Sequence, residues 1–404
     1  MFKKERTLTQ RLDRGPLRTM FVITSMPIGG AETLLVNLLK RLDRGLILPE
    51  LCCLKEMGPL GEVAANEVVV HSGVIRTKYD HRILRRMRKL IDEQRIDAIV
   101  TVGAGDKMFW GRLAAWMEGV PVILSALHST GWPDGVGRLN RMLTPITDGF
   151  IAVASAHRRY MIDRERFPSE KVTLIPNGVD TYRFRSLPDS GLAVKTKLGI
   201  PPAAPVCGIV AALRPEKNHT LFLRAAALTA KQRPDAHFII VGDGPERAKL
   251  ERLAIEAGVA SSTHFVGSRS DVPQVLSSFD VFSLTSHNEA NPVSILEALA
   301  CEIPVVSTDV GSVAESVADG STGYLVKPGD ANALANHWIK LFADPGLVRT
   351  FGSAGRATVE ANWSLDTMVK GYERLICDTY DHKCPSAHSA TAISMHETSR
   401  TVKN

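Results

Sequence analysis

The sequence predicts an α/β protein built from two doubly wound parallel sheets that face each other across a cleft. Short apolar runs alternate with amphipathic stretches along the chain, which is typical of this class. The 404 residues suit two or three domains. With 44% hydrophobic and 23% charged residues, a disordered, collagenous or coiled-coil chain is excluded. No repeat of roughly 20–50 residues is present, so a solenoid is not expected.

The first half of the chain predicts one parallel sheet. Each candidate strand is a short run rich in Val, Ile or Phe, followed by a turn or a helical pattern. A helix over 34–42 follows the first strand. Residues 175–180 predict a turn and 186–191 a loop, so the first domain is expected to span 1–188. The predicted strands are 19–24, 48–53, 98–102, 122–125 and 149–152.

A second sheet is predicted for residues 189–365, with helices over 220–230 and 246–257 between its strands. An amphipathic helix over 366–380 is expected to pack back on the first domain. The Ser-, Thr- and His-rich segment 381–404 is expected to form a mobile tail. Ligands bind beyond the carboxyl ends of parallel strands, so the cleft between the sheets is the expected site. The predicted strands are 206–211, 237–241, 264–266, 281–284 and 304–307.

The formal net charge of +6 is unevenly distributed. Residues 1–190 hold 29 Lys and Arg against 21 Asp and Glu, whereas residues 191–404 hold 20 against 22. The basic half is therefore expected to meet an anionic surface. The stretches 81–89 and 158–167 are basic and amphipathic, which fits either an anionic membrane or a solvated helix face packed on a sheet. Aromatic clusters that would stack on bases are absent from the sequence, so nucleic acid is not an expected partner.

Cysteine usage and hydropathy predict a cytoplasmic protein with peripheral contact at the inner face of the membrane. The polar N-terminus MFKKERTLTQRLDRG lacks the apolar run of a signal peptide. Apolar stretches such as 121–127 fall well short of the ~20 residues needed to span a bilayer. The six cysteines form no CxxC pair, which favours reduced thiols over a disulfide framework or a zinc ribbon.

Two loops that follow predicted strands carry groups suited to an anionic ligand. Gly29 and Gly30 precede the helix over 34–42, so backbone amides and the helix N-terminus could approach an anion, although the loop could also be a plain turn. The spacing is neither GxGxxG nor that of a Walker loop, which disfavours an NAD-dependent dehydrogenase. Arg214 and Lys217 follow strand 206–211, where they could hold a diphosphate or form a solvated basic loop.

Two glutamates flank the start of a predicted helix. Glu289 lies in the turn after strand 281–284, and Glu297 lies eight residues later, about one turn into the helix. A carboxylate at the second position could accept hydrogen bonds from vicinal ribose hydroxyls, and one in the turn could face a sugar. The same spacing would also fit two glutamates that lie on the surface at the start of a helix and bind no ligand.

The pattern E-x7-E, followed by E-A-x-A-x-x-x-P-V-V, resembles the retaining glycosyltransferases of family 4, which adopt the GT-B fold of two Rossmann-like domains. The resemblance covers roughly residues 19–380. The individual segments are short, but their order along the chain is that of the family. Besides E-x7-E, the matching segments are Gly29–Glu32, Pro176–Asp180, Arg214–Lys217, Val241–Pro245, Phe265–Gly267, Ser307–Gly311 with Glu315, and Asp319–Gly323.

The resemblance implies a role for each matching position. Lys217 would hold the donor diphosphate, Glu297 would bind the ribose hydroxyls and Glu289 would lie beside the donor sugar. His128, after strand 122–125, is similar to a family histidine that reaches the sugar, although a structural histidine fits that position too. The remaining implied donor contacts are the backbone near Gly267 and Arg269 at the base, and Gly29 and Gly30 from the opposite domain.

Three departures from the family pattern affect the phosphate-binding groups. Ala212 stands where the family has a phosphate-binding arginine, and Arg214 is the candidate replacement. Pro292 stands in a turn that is usually glycine-rich and removes one amide donor. Further along the chain, where the family has two consecutive glycines, this sequence has Gly311-Ser312.

The expected reaction is transfer of a sugar from a UDP- or GDP-linked donor to a hydroxyl of a lipid-linked or polysaccharide acceptor, with retention. The sequence contains no Asp-x-Asp, so neither a metal nor a further cofactor is expected, and charge on the leaving diphosphate would be stabilised by Lys217 and Arg214. With His128 and Glu289 these residues form the predicted catalytic set. Two alternatives remain open: a nucleotide-sugar epimerase of the same fold and a non-catalytic nucleotide-sugar sensor.

Overall fold

The computed structural model describes residues 3–76, 80, 82–103, 108–128 and 137–384. These residues form two parallel sheets with helices packed against them, so the predicted fold class of two doubly wound α/β domains is confirmed. Residues 385–404 of the expected tail lie outside the described residues. In the described ranges, we find no helix that is both long and apolar enough to cross a bilayer.

Seven parallel strands form the N-terminal sheet: β1 (Leu17–Ile23), β2 (Ile47–Cys53), β3 (Val69–Ser72), β4 (Ala98–Val102), β5 (Val122–Leu127), β6 (Gly149–Ala152) and β7 (Val172–Leu174). Their spatial order is β3-β2-β1-β4-β5-β6-β7. The order reverses between β1 and β4, so the loops after these strands run to opposite sides and leave a crevice at the carboxyl edge. Every residue of β4 and β5 is buried, as expected for strands covered on both faces.

The described helices of this domain are α1 (Arg11–Arg14), α2 (Gly30–Arg41), α3 (Pro59–Ala64), α4 (Ile83–Glu93), α5 (Met108–Met117), α6 (Arg138–Met142) and α7 (Ser155–Asp163). Three apolar clusters lie on the sheet: the first is formed with α2, the second with α4 and α5, and the smaller third with α7. Helix α4 contributes Ile83, Met87 and Ile91 to the second cluster. The apolar face of this basic helix is therefore covered by its own domain.

Six parallel strands form the C-terminal sheet: β8 (Val206–Val210), β9 (His237–Val241), β10 (Thr263–Gly267), β11 (Val281–Leu284), β12 (Val305–Thr308) and β13 (Gly323–Val326). Their spatial order is β10-β9-β8-β11-β12-β13, with the reversal between β8 and β11. The helices of this part are α8 (Pro188–Lys197), α9 (His219–Gln232), α10 (Arg247–Glu256), α11 (Val272–Leu276), α12 (Val293–Ala300), α13 (Val313–Ser316), α14 (Ala331–Ala343) and α15 (Pro345–Asn362). One apolar cluster joins the strands and helices.

The chain crosses between the two domains twice, and the crossings lie side by side. Val179 donates its N–H to Trp363 O (2.9 Å) and accepts from Leu365 N (3.2 Å). Gly178 packs so closely that a Cβ there would lie 2.6 Å from Leu365 Cα, which excludes larger residues. The last helix, α16 (Leu365–Lys383), then packs its buried residues into the core of the N-terminal sheet.

Most predicted strands lie within one or two residues of the observed ones. Three strands, β3, β7 and β13, were not predicted. Each has only three or four residues and lies at the edge of a sheet. Partial exposure of β3 and β7 removes the continuous apolar run that marks a buried strand, whereas β13 is mostly buried and was missed although its sequence is largely apolar. The predictions for 98–102, 149–152, 237–241 and 281–284 match the observed bounds.

Two other boundaries were predicted wrongly. The loop expected at 186–191 is helical from Pro188 onward, because proline is favoured at the first position of a helix. Residues 381–383 were expected to lie in the tail, but they are helical, because α16 continues to Lys383. Lys383 donates to Pro121 O and Asp148 Oδ1, both at 2.6 Å, which secures the end of this helix.

Candidate functional site

The reversal points of the two sheets bring the predicted residues to one cleft. Lys217 follows β8 and Glu289 follows β11, the two strands that flank the reversal in the C-terminal sheet. Gly29 and Gly30 follow β1 at the reversal in the other sheet. The start of α2 meets the start of α12 across the cleft, where a Cβ on Gly30 would lie 3.8 Å from Val293 Cβ.

Lys217 and Glu289 form an ion pair at the floor of the cleft. Lys217 Nζ lies 2.6 Å from Glu289 Oε1, which also accepts from Ser286 Oγ at 2.6 Å. The lysine side chain is 26% exposed and the glutamate 8% exposed, so the pair can be reached mainly from the lysine side. Thr285 Oγ1 donates to Lys217 O (3.2 Å) and Asn218 O (3.0 Å), which fixes the lysine loop against the turn after β11.

The turn that carries Glu289 is supported by the loop after β12. Gly311 has φ +58°, and a Cβ there would lie 1.8 Å from Glu289 O, so this position requires glycine. Ser312 replaces the second glycine of the family pattern, and its hydroxyl donates to Ala290 O. The departure at Ser312 therefore strengthens the turn, whereas Pro292 at the N-cap of α12 supplies no amide donor.

Glu297 lies on α12 with its carboxyl half-buried in the cleft. Burial raises its pKa to about 8, against the smaller, lowering effect of the Arg183 charge. At neutral pH the group therefore carries a proton and can both donate and accept hydrogen bonds. Arg183, from the segment that follows the first domain crossing, donates to Ser270 O at 3.2 Å. It thus links that segment to the loop after β10.

Arg214 faces the N-terminal domain across the cleft. Burial raises the pKa of Glu32 in the first turn of α2, and the Arg214 charge acts against this rise. The Glu32 carboxylate folds back over Gly29, 2.3 Å from where a Cβ would stand. The Arg214 residue is exposed, and its backbone N–H donates to Ala212 O at 2.8 Å. Whether it replaces the arginine missing at position 212 stays a prediction.

The two residues predicted near the base lie at the end of β10. Gly267 O accepts from Gly242 N at 2.9 Å, which ties the ends of β9 and β10 together. The guanidinium of Arg269 lies 2.6 Å from Asp271 Oδ2. The pair uses Nε and Nη2 of the guanidinium and leaves its Nη1 outside the pair.

His128 lies where β5, the first domain crossing and α16 meet. Its Nε2 is 3.4 Å from the hydroxyl of Tyr372. Burial lowers the pKa of His128 to about 4, and the Asn177 side chain acts in the opposite direction. Asn177 Nδ2 in turn donates to Asn291 O, at 3.0 Å, in the turn that carries Glu289. The imidazole is thus neutral and is connected through Asn177 to the opposite domain.

Five residues of this region were not predicted as site residues. Glu32, Asn177 and Glu315 belong to segments noted in the sequence, but nothing there indicated their partners. Arg183 and Tyr372 carry no local signal, because each meets the site through a segment distant in sequence. Glu315 accepts from Ser155 N (2.8 Å) and Ala156 N (2.5 Å), so that α13 of one domain caps α7 of the other.

Two family models match the chain. The model described as Glycosyltransferase Family 4 matches residues 28–183, and that described as Glycosyl transferases group 1 matches residues 193–358. Each match corresponds to one of the two sheets. Together they cover most of the described chain.

Curated relatives and solved structures agree with these matches. A GDP-mannose-dependent monoacylated alpha-(1-6)-phosphatidylinositol monomannoside mannosyltransferase of Corynebacterium glutamicum is 32% identical over 204 residues, 48% of this chain and 53% of the relative. A GDP-mannose-dependent alpha-(1-6)-phosphatidylinositol monomannoside mannosyltransferase of Mycolicibacterium smegmatis is 29% identical over 300 residues, 70% and 77% of the two chains. The structure of Anabaena Alr3699/HepE in complex with UDP and glucose superimposes with a TM-score of 0.79 at 22% identity, covering 89% and 99%.

The fold and the cleft define a two-domain glycosyltransferase of the GT-B class. Within that class, the chain belongs to the family 4 glycosyltransferases, whose C-terminal half is the group 1 domain. The predicted class of activity, glycosyl transfer from a nucleotide sugar, is confirmed at this level. The epimerase alternative is not favoured, because the relatives above are transferases.

Proposed function

We propose that the protein transfers a sugar from a UDP- or GDP-linked donor to a hydroxyl of a lipid-linked or polysaccharide acceptor, with retention and without a metal ion. The observation that carries this proposal is the ion pair of Lys217 and Glu289 at the reversal point of the C-terminal sheet. In doubly wound sheets, nucleotide ligands bind at this point. The cation is the more exposed partner, so a diphosphate can reach it.

Charges in the cleft support leaving-group stabilisation by the protein itself. Lys217 is paired with Glu289, and Arg214 acts on Glu32, so each cation faces a carboxylate before donor binds. A donor diphosphate would take over both cations. Charge builds up on the diphosphate as the sugar leaves, so cations held there stabilise the transition state more than the bound substrate.

The other site residues fit the recognition of a sugar nucleotide. A protonated Glu297 can hydrogen-bond both hydroxyls of a ribose, as donor to one and acceptor from the other. The neutral His128 could accept a hydrogen bond from a sugar hydroxyl at Nε2, which now meets the Tyr372 hydroxyl at 3.4 Å, without placing a charge beside the sugar. We infer that the acceptor hydroxyl attacks from the face that the diphosphate leaves and that the leaving phosphate takes its proton.

The acceptor class and the membrane contact rest on the relatives and on the basic N-terminal half. The relatives from Corynebacterium and Mycolicibacterium are named for phosphatidylinositol-mannoside acceptors. An acceptor of lipid-linked type would be met at a membrane surface, and residues 1–190 carry a net charge of +8. We therefore propose peripheral association of a cytoplasmic enzyme with the inner, anionic face of the membrane.

Donor turnover tests the proposal. The protein is incubated with a panel of UDP- and GDP-sugars, and transfer or slow donor hydrolysis is followed by NMR. Lys217→Ala is expected to lower the rate by roughly 100-fold or more, because a charge-stabilising group is lost. The matched control is Lys249→Ala, which removes a lysine in a 2.6 Å pair with Glu246 outside the cleft.

Three results would contradict the proposal. Binding of nucleotide without any turnover favours a sensor. Interconversion of the free donor sugar favours an epimerase. A product of inverted anomeric configuration rejects retention.

A further inference from the structure

Three polar atoms between the two domains are buried and, within the described part of the chain, lack a hydrogen bond: His128 Nδ1, Asn177 Oδ1 and Asn291 Oδ1. Asn177 is 3% exposed and Asn291 6% exposed. A buried polar atom left unpaired costs roughly 1–3 kcal/mol, so native proteins seldom leave several together. These three atoms therefore indicate a hydrogen bond that forms after a small movement of the side chains.

The orientation of the Asn177 carboxamide is fixed by its one partner. Asn291 O is a carbonyl and can only accept, so the group 3.0 Å from it must be the Asn177 NH2. Oδ1 then lies on the other side of the amide. The Asn177 side chain also lies within hydrogen-bonding reach of His128 and raises the pKa of the ring, which is the effect of an acceptor oxygen. Two unpaired atoms, the acceptor Asn177 Oδ1 and the ring nitrogen His128 Nδ1, thus belong to neighbouring side chains.

The tautomer of His128 follows from these neighbours. A neutral imidazole has one N–H and one acceptor nitrogen. Burial raises the pKa of Tyr372 far above its usual value, so its hydroxyl keeps its proton and can donate to Nε2. Because Asn177 Oδ1 can only accept, a hydrogen bond between the two side chains requires the hydrogen on Nδ1, which leaves Nε2 to accept from the Tyr372 hydroxyl.

We propose that Asn177 is a positioning residue that accepts the hydrogen bond from His128 Nδ1, fixes the tautomer of the ring and ties it to the turn carrying Glu289. This hydrogen bond satisfies two of the three unpaired atoms, His128 Nδ1 and Asn177 Oδ1. Asn177 is part of the first domain crossing, so the bond joins the N-terminal domain to the donor-side turn through a single side chain. Its role in the reaction rests on the proposed function; the hydrogen bond itself does not.

The experiment is imidazole ¹⁵N NMR on protein labelled at histidine, with His128→Gln to identify the signals. In the ligand-free wild type we expect one neutral tautomer near pH 7, with the proton on Nδ1. Asn177→Ala is expected to let the ring exchange between tautomers. Tyr372→Phe keeps Asn177 and is expected to leave the proton on Nδ1, so a tautomer fixed by Tyr372 alone would be recognised.

The matched control is Asn362→Ala, which removes an exposed asparagine bonded to a single backbone carbonyl. It is expected to leave the His128 signals unchanged. A wild-type His128 with its proton on Nε2 overturns the proposal. This result is read from the wild-type protein, so it does not depend on whether Asn177→Ala folds. An unchanged tautomer in folded Asn177→Ala overturns it as well.

Kinetics provide a separate test of the positioning role. With a donor that the wild type turns over, Asn177→Ala is expected to lower kcat about tenfold or more and to change the donor KM less than about threefold. A change in KM alone contradicts a positioning role. If the wild type turns over no donor, the proposed function fails, whereas the NMR result still decides whether the hydrogen bond exists.

Discussion

The carboxyl group of Glu297 makes stability depend on pH in a way that one substitution can reveal. Burial raises its pKa in the folded protein to about 8 from a reference value of 4.5. Between these values the folded state holds a proton that the unfolded state has lost, so this group's contribution to stability decreases as pH rises. Glu297→Gln removes the titration and keeps the shape. We expect the variant to be more stable than wild type at pH 8, by up to about 4 kcal/mol, and nearly equal at pH 4.5.

Urea unfolding at several pH values measures this difference. Glu256→Gln, at an exposed position of α10, is the control and should follow the wild type at every pH. A difference between Glu297→Gln and wild type that is constant from pH 4.5 to 8 would show that burial does not raise the pKa of Glu297.

Sequence reasoning identified the residues of the cleft that follow strands and missed those that reach it from elsewhere. Lys217 and Glu289 could be predicted, because parallel strands direct the loops at their carboxyl ends to one edge. Asn177 and Arg183 could not, because their partners lie far along the chain, at Asn291 and Ser270. The roles of all these residues stay predictions until turnover is measured.

At the scale of elements, α13 of the C-terminal domain caps α7 of the N-terminal domain. Glu315 accepts from Ser155 N and Ala156 N, which are otherwise unpaired donors of the first helical turn. The negative charge also interacts favourably with the helix N-terminus. We expect Glu315→Ala to lower the free energy of unfolding by about 1–2 kcal/mol, and Glu315→Gln by less, because the amide keeps an acceptor oxygen.

Chemical denaturation of the whole chain measures this loss. The control is Glu360→Ala on α15, which removes a 2.7 Å pair with Arg356 and should cost about 0.5 kcal/mol or less. Equal losses in Glu315→Ala and Glu360→Ala would mean that the contact between domains adds nothing beyond an ordinary surface pair.

The central strands of both sheets could be predicted from the sequence, whereas of the four edge strands only β10 was predicted. Val, Ile and Phe runs mark β1, β4 and β11 because both faces of these strands are covered. At the edges, β3 and β7 are partly exposed and lose that pattern. The length of α16 was underestimated because its last residues, His382 and Lys383, are polar, whereas polar residues are favourable at a helix C-terminus.

On the scale of the whole molecule, several of the arginines in the basic N-terminal half form ion pairs within their own domain. Arg14 pairs with Asp97, Arg18 with Glu50 and Arg88 with Glu118, each at 2.5 Å. Residues 83–89 of the basic stretch 81–89 belong to α4 and Arg82 is its N-cap, whereas His81 lies outside the described residues. Because the apolar side of α4 is buried in the sheet, this helix cannot insert into a bilayer, and its membrane contact would have to be electrostatic.

Vesicle binding should therefore depend on salt and on the exposed cations of α4. We expect the protein to sediment with phosphatidylglycerol vesicles at low ionic strength, to be released at about 0.5 M salt, and to ignore phosphatidylcholine vesicles. Arg85 and Lys89 are exposed on α4, so Arg85→Glu with Lys89→Glu should weaken binding. The same charge change at Lys231 and Arg252 in the C-terminal half should have little effect. Binding that persists at high salt would indicate insertion of an apolar segment, and no binding at low salt would exclude membrane association through this surface.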